Sequence, residues 1–138
     1  MKPIACWHHG DLLRLHDNLA KDRIDLYGRN ERTPRGTPRL DRWWARMRLK
    51  PGDRIQIVAK GRIIAYATVN SEPIDLPPNE VKGVWGTYVQ LSQIDPSSRP
   101  YPIASCKGHC QGSHRFDGPK TSKLDCWEIG EVMFETTI

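Results

Sequence analysis

Within Leu49-Lys50-Pro51-Gly52-Asp53-Arg54-Ile55-Gln56-Ile57-Val58 a helix has to stop and a strand has to start. Upstream, Leu40, Trp43, Trp44 and Met47 recur at helical spacing, and Arg39, Arg42 and Arg46 form the opposing row. Thr37-Pro38 reads as an N-cap followed by proline at the first helical position. Pro51 lacks a backbone donor and Gly52 tolerates left-handed backbone, so the helix ends before them. Downstream the period changes to two: Ile55, Ile57 and Ala59 fall on one face. Lys60-Gly61 has the form of a two-residue hairpin turn, after which Ile63, Ala65, Ala67 and Val69 point inward.

The same reading extends along the chain. Ile4 to Trp7 is expected as a short strand. Asp11 can cap a helix reaching about Ala20, with Leu12, Leu15 and Leu19 on one face and His16 beside them. Arg23 to Tyr27 is ambiguous. Gly28 to Gly36 is polar and basic and is expected as a mobile loop. Trp85, Thr87, Val89 and Leu91 mark another strand with one common face. Cys106 to Leu124 is a long loop, and Trp127 to Thr136 a closing strand. With 138 residues, one domain over 1–138 is expected. Its class is α+β, a small and mostly antiparallel barrel with two or three flanking helices.

Net charge is +5, and it is unevenly placed. From Arg29 to Arg48 there are seven arginines, no lysine, and only Glu31 and Asp41 to oppose them. After Lys123 the chain turns acidic, with Asp125, Glu128, Glu131 and Glu135. A basic face with an acidic edge can orient a protein on a polyanion; a solvated arginine-rich surface has the same composition. No run approaches the ~20 apolar residues of a membrane helix. Met1 to His9 lacks the apolar centre of a signal peptide, so a cytoplasmic location with reduced cysteines is expected, and no membrane partner.

Three sets of residues resemble the PUA-like superfamily, closest in style to EVE and ASCH domains. They are Ala5-Cys6-Trp7, the helical Arg42-Trp43-Trp44-Ala45-Arg46-Met47, and Leu49 to Ile55 followed by Gly61 to Val69. The resemblance covers roughly residues 40 to 95. It implies binding of RNA, or of DNA with a modified base, in a cleft between helices and barrel. It also implies that a flipped base sits in an aromatic-lined pocket. The Gly-x-Lys-x-x-Glu-x-Arg-like motif of many ASCH domains has no counterpart here, so their amidohydrolase chemistry is not carried over.

Candidate nucleic-acid contacts follow from residue chemistry. Bases stack on aromatic rings, and guanidinium groups pair with phosphates and base edges. Trp7, His8 and Trp85 are the expected pocket, with His9 and Tyr66 beside it. Arg35, Arg39, Arg42 and Lys107 are the expected backbone contacts, joined by Arg99 and Lys123. The five tryptophans can equally pack a core, Trp43, Trp44 and Trp127 above all. Cys106, Cys110, His114 and Cys126 form a conceivable tetrahedral set for a structural zinc, with His109 as an alternate, although C-x3-C-x3-H is not the usual knuckle spacing. No Gly-x-Ser-x-Gly elbow, phosphate loop or paired-carboxylate signature is present. The leading expectation is a nucleic-acid-binding domain. The alternatives are a small ribonuclease or modified-nucleoside hydrolase on the same scaffold, and a zinc-stabilised protein-interaction module.

Overall fold

A computed structural model describes residues 3–40, 47–99 and 114–115. In chain order the elements are β1 (Ala5–His8), α1 (Leu12–Ala20), β2 (Arg23–Tyr27), β3 (Arg54–Ala59), β4 (Arg62–Val69), β5 (Ile74–Asp75), a 3-10 turn over Pro78–Glu80, β6 (Trp85–Pro96) and β7 (His114–Arg115). Strands dominate and α1 accompanies them, so the class is α+β. Arg39, Leu40 and Met47 are also helical, and residues 41–46 between them lie outside the described residues. The chain forms two compact units from interleaved segments. The first comprises Met1–Leu12, Arg54–Ala67 and Asp95–Ile138; the second comprises Leu13–Asp53 and Thr68–Ile94.

In the first unit the hydrogen-bonded strand order is β7-β1-β3-β4. β1 runs parallel to β3, with Ala5 opposite Ile55 and Trp7 opposite Ile57, whereas β7 is antiparallel to β1. The expected antiparallel pattern thus contains one parallel pair, and the long stretch of chain between β1 and β3 is what permits it. β3 departs from the expected alternation: all six of its residues are buried. A central strand is covered on both faces, which forces its polar residues to find partners. Gln56 Nε2 lies 3.7 Å from Cys6 Sγ, and the Arg54 guanidinium pairs with Asp95. The hairpin turn forms as expected, with Lys60 at φ 52° and Gly61 at φ 72°. Positive φ at both central residues matches the strand twist, and Gly61 adopts it without steric cost.

In the second unit β6 pairs antiparallel with β2 and with β5 and neighbours the end of β4. Arg23–Tyr27 resolves as a strand because its alternate residues Ile24 and Leu26 are buried. Leu15, Ile24, Met47, Val69, Val89 and Leu91 supply much of this unit's apolar interior. The Pro51-Gly52 segment is a tight turn: Asp53 N donates to Lys50 O at 3.1 Å and Gly52 sits at φ 99°. Asp53 Oδ2 accepts from Lys50 N at 2.9 Å, closing the turn from its own side chain. The Gly-Asp pair therefore shapes the entry into β3.

Candidate functional site

Two aromatic–glycine dipeptides, Tyr27-Gly28 and Trp85-Gly86, organise the second unit's polar face. Tyr27 pairs with Trp85 and Leu26 with Thr87, so Gly86 is the extra residue of a β-bulge. A Cβ on Gly86 would lie 2.8 Å from Gly28 Cα, so only glycine lets the two backbones approach this closely. Thr87 Oγ1 donates to Tyr27 O at 2.9 Å and Gly28 N donates to Val84 O at 2.8 Å, which holds the bulge on both sides. The consequence concerns Trp85. Simple alternation puts it on the same buried face as Thr87, Val89 and Leu91, but the bulge leaves it half-buried and stacked on Tyr27. Their ring centroids are 4.9 Å apart with planes 12° from parallel.

Arginines cover this aromatic pair. The Arg14 guanidinium lies 4.5 Å from the Trp85 ring centroid and that of Arg39 lies 3.9 Å from the Tyr27 centroid. Arg39 Nη2 also donates to the Tyr27 hydroxyl at 2.9 Å. Cations over ring faces gain from the ring quadrupole, and stacked guanidinium keeps its in-plane donors available. Asp25 anchors the inner end. Its Oδ2 accepts from Arg14 Nη2 at 2.9 Å, and its Oδ1 lies 3.1 Å from Arg23 Nε. Arg23 reaches Glu80 at 3.3 Å as well. Buried Asn18 ties α1 to this cluster: its Oδ1 accepts from Asp25 N at 2.7 Å and its Nδ2 donates to Arg14 O at 2.6 Å.

The basic loop that follows Tyr27 is tied by its own backbone. Thr33 N donates to Thr37 O and Gly36 N to Thr33 O, both at 2.8 Å, and Arg39 N donates to Glu31 O at 2.9 Å. Arg32 and Pro38 form an antiparallel bridge, which makes the loop a short hairpin with Pro34-Arg35 at its turn. The sequence shows only polar, non-core residues there; these backbone bonds are what it does not display. Arg32 and Arg35 are both exposed.

The sequence-derived candidates divide between the units. Trp7, His8, His9, Tyr66 and Arg99 belong to the first unit, and Arg35, Arg39 and Trp85 to the second. Trp7 is 6% exposed, and His8 and His9 are half-buried. His9 Nδ1 accepts from Asp11 N at 3.0 Å, shaping the approach to α1. Burial pushes the half-buried Tyr66 phenol above its ordinary value, Arg99 opposes the shift, and Cys6 adds to it. Arg99 is exposed, and its carbonyl accepts from Ile63 N at 2.8 Å. Arg42, Lys107 and Lys123 lie outside the described residues, as do Trp43, Trp44 and Trp127. So do Cys106, Cys110 and Cys126 of the conceivable zinc set, as well as His109; His114 pairs with Cys6 through the β1–β7 register.

Tyr27, Arg14, Asp25 and Asn18 are absent from the sequence-derived set. The repeated aromatic–glycine dipeptide is the signal that points to Tyr27; nothing local marks Asp25 or Asn18, whose partners are distant in sequence. No described helix is long and apolar enough to cross a membrane. No family model matches the chain, and no curated protein matches it.

Proposed function

We propose that this chain is a nucleic-acid-binding domain of PUA-like type, holding the phosphate backbone of RNA or of base-modified DNA on its arginine-rich surface. The observation that carries this reading is how the arginines sort. Arg14, Arg23, Arg29 and Arg54 are each paired with a carboxylate. Arg32 and Arg35 are exposed on the tied hairpin and have no ion pair among the described residues. Arg39 rests on Tyr27 beside them in sequence and has no carboxylate partner there either. A protein gains little by exposing guanidinium without a carboxylate partner on a hydrogen-bonded hairpin, whereas a polyanion partner uses both the charge and its placement. The resemblance of Leu49 to Val69 to PUA-like domains supports the same class, and a cytoplasmic location goes with it.

Fluorescence polarisation against single-stranded RNA, duplex DNA and modified-cytosine DNA tests the reading. Binding to at least one is expected, weakening as salt rises. Absence of salt-sensitive binding to all three overturns it.

A further inference from the structure

The nucleic-acid reading leaves open where a base would sit. Trp7 is buried, and Trp85 already carries Tyr27 and Arg14. A different ring has room beside it. Tyr88 lines an open basin of about 380 Å³ with Lys21, Asp22, Arg23, Asn70, Gln90 and Leu91. That volume lies within the roughly 300–1,000 Å³ range of small-molecule sites.

Register builds this basin. Tyr88 and Gln90 alternate with buried Thr87, Val89 and Leu91, so both emerge on the outer face of β6. They stand opposite Asp25 and Arg23 of β2. The rim is pinned by backbone: Asn70 N donates to Gln90 O and Leu91 N to Asp22 O, each at 2.8 Å, and Gln90 N donates to Ser71 Oγ at 2.9 Å. The Arg23 guanidinium lies 5.2 Å from the Tyr88 centroid and is itself pinned by Asp25 and Glu80. Tyr88 thus lies beside a cation held between two carboxylates.

The remaining groups are uncommitted. The side-chain amides of Asn70 and Gln90 make no hydrogen bond among the described residues. Among the described residues the Lys21 ammonium makes an exposed i,i+4 pair with Asp17, a contact of little worth that it can exchange. An aromatic face, two free amides and an exposed ammonium are the three groups that an unstacked nucleotide recruits: a ring to stack on, paired donor and acceptor for the base edge, and a cation for phosphate.

We propose that the Tyr88–Asn70–Gln90 basin binds a single unstacked nucleobase, with Lys21 at its phosphate. As the base site of a bound strand this rests on the nucleic-acid reading; a free mononucleotide presents the same chemistry, and the experiment separates the two sources.

The test titrates labelled single-stranded RNA, the same strand with every base removed, and nucleoside monophosphates. Each is added to the intact chain, to Tyr88→Ala and to the exposed pair Asn70→Ala/Gln90→Ala. Thermal melts confirm that the variants are folded. If Tyr88→Ala does not fold, the exposed pair carries the result alone. The expected result is roughly tenfold weaker RNA binding in each variant, with the abasic strand bound about equally by all three proteins. Monophosphates bound as tightly as RNA, and weakened by the same substitutions, keep the basin as a nucleotide site and reject the strand as its source. RNA bound equally by the intact chain and the folded variants overturns the basin while the nucleic-acid reading stands. No binding of any of these probes overturns the basin; the nucleic-acid reading falls with it only when duplex DNA and modified-cytosine DNA also fail to bind.

Discussion

Asp25 is the residue on which the second unit's polar face turns. Its side chain is 10% exposed and lies between two guanidiniums, at 2.9 Å from Arg14 and 3.1 Å from Arg23. Removing one partner of a buried pair leaves uncompensated charge, at a cost of about 3–5 kcal/mol. Asp25→Ala strands Arg14 and leaves Arg23 with Glu80 alone, and is expected toward the lower end of that range by urea denaturation. A loss below about 1 kcal/mol would mean that these groups behave as exposed ions. Gly86 makes a different demand, one of space. An added Cβ meets Gly28 Cα at 2.8 Å, whereas a Cβ on Gly28 finds its nearest neighbour at 3.5 Å, an ordinary contact. Gly86→Ala is therefore expected to cost about 1–3 kcal/mol and to change the near-ultraviolet dichroism of the Tyr27–Trp85 stack. Gly28→Ala should cost less than half as much. Equal costs would remove close backbone approach as the reason for the bulge.

At the scale of elements, turns and periods were legible because they are local. Pro51-Gly52 and Lys60-Gly61 announce backbone conformations that few other residues adopt, and both turns form where expected. Helix α1 ends at Ala20 as its spacing indicates. What was not legible depends on neighbours distant in sequence. β3 reads as a half-buried strand until β1 and β4 flank it; Arg54 and Gln56 then need partners that no local pattern reveals. The bulge at Gly86 likewise breaks a face that alternation makes continuous, and it is what exposes Trp85. The candidate site was half legible for the same reason: arginine spacing exposes Arg35 and Arg39, but not the rings or carboxylates that sort them. Strand β4 carries a pH prediction. Burial raises the Tyr66 phenol pKa. The unfolded chain then ionises first as pH climbs past about 10, so Tyr66 stabilises the fold below that pH and the contribution fades above it. Alkaline melts of Tyr66→Phe should lose stability less steeply there than those of the unsubstituted chain. Parallel curves would show that Tyr66 titrates alike in both states.

For the whole molecule, a net charge of +5 says little until spent and unspent cations are separated. Arg29 is spent. Its Nε donates to Asp75 at 2.7 Å and its Nη2 to Pro73 O at 3.1 Å. Arg32 and Arg35 lie three and six residues further on and have no such partner among the described residues. These three arginines are close in sequence and equal in formal charge, so a purely non-specific attraction to polyanions weights them alike. Direct phosphate contact does not. Each contact releases counterions and adds ~0.7 to the log–log salt slope on a single strand, or ~0.9 on a duplex. Arg32→Ala and Arg35→Ala should each flatten the slope by about that amount, and the double variant by about twice as much. Arg29→Ala should flatten the slope less than either, because its guanidinium is already engaged by Asp75 and the Pro73 carbonyl. Salt titrations of the four variants beside the unsubstituted chain decide between these accounts. Equal flattening by all three single substitutions would show diffuse attraction, and would remove the tied hairpin from the binding surface.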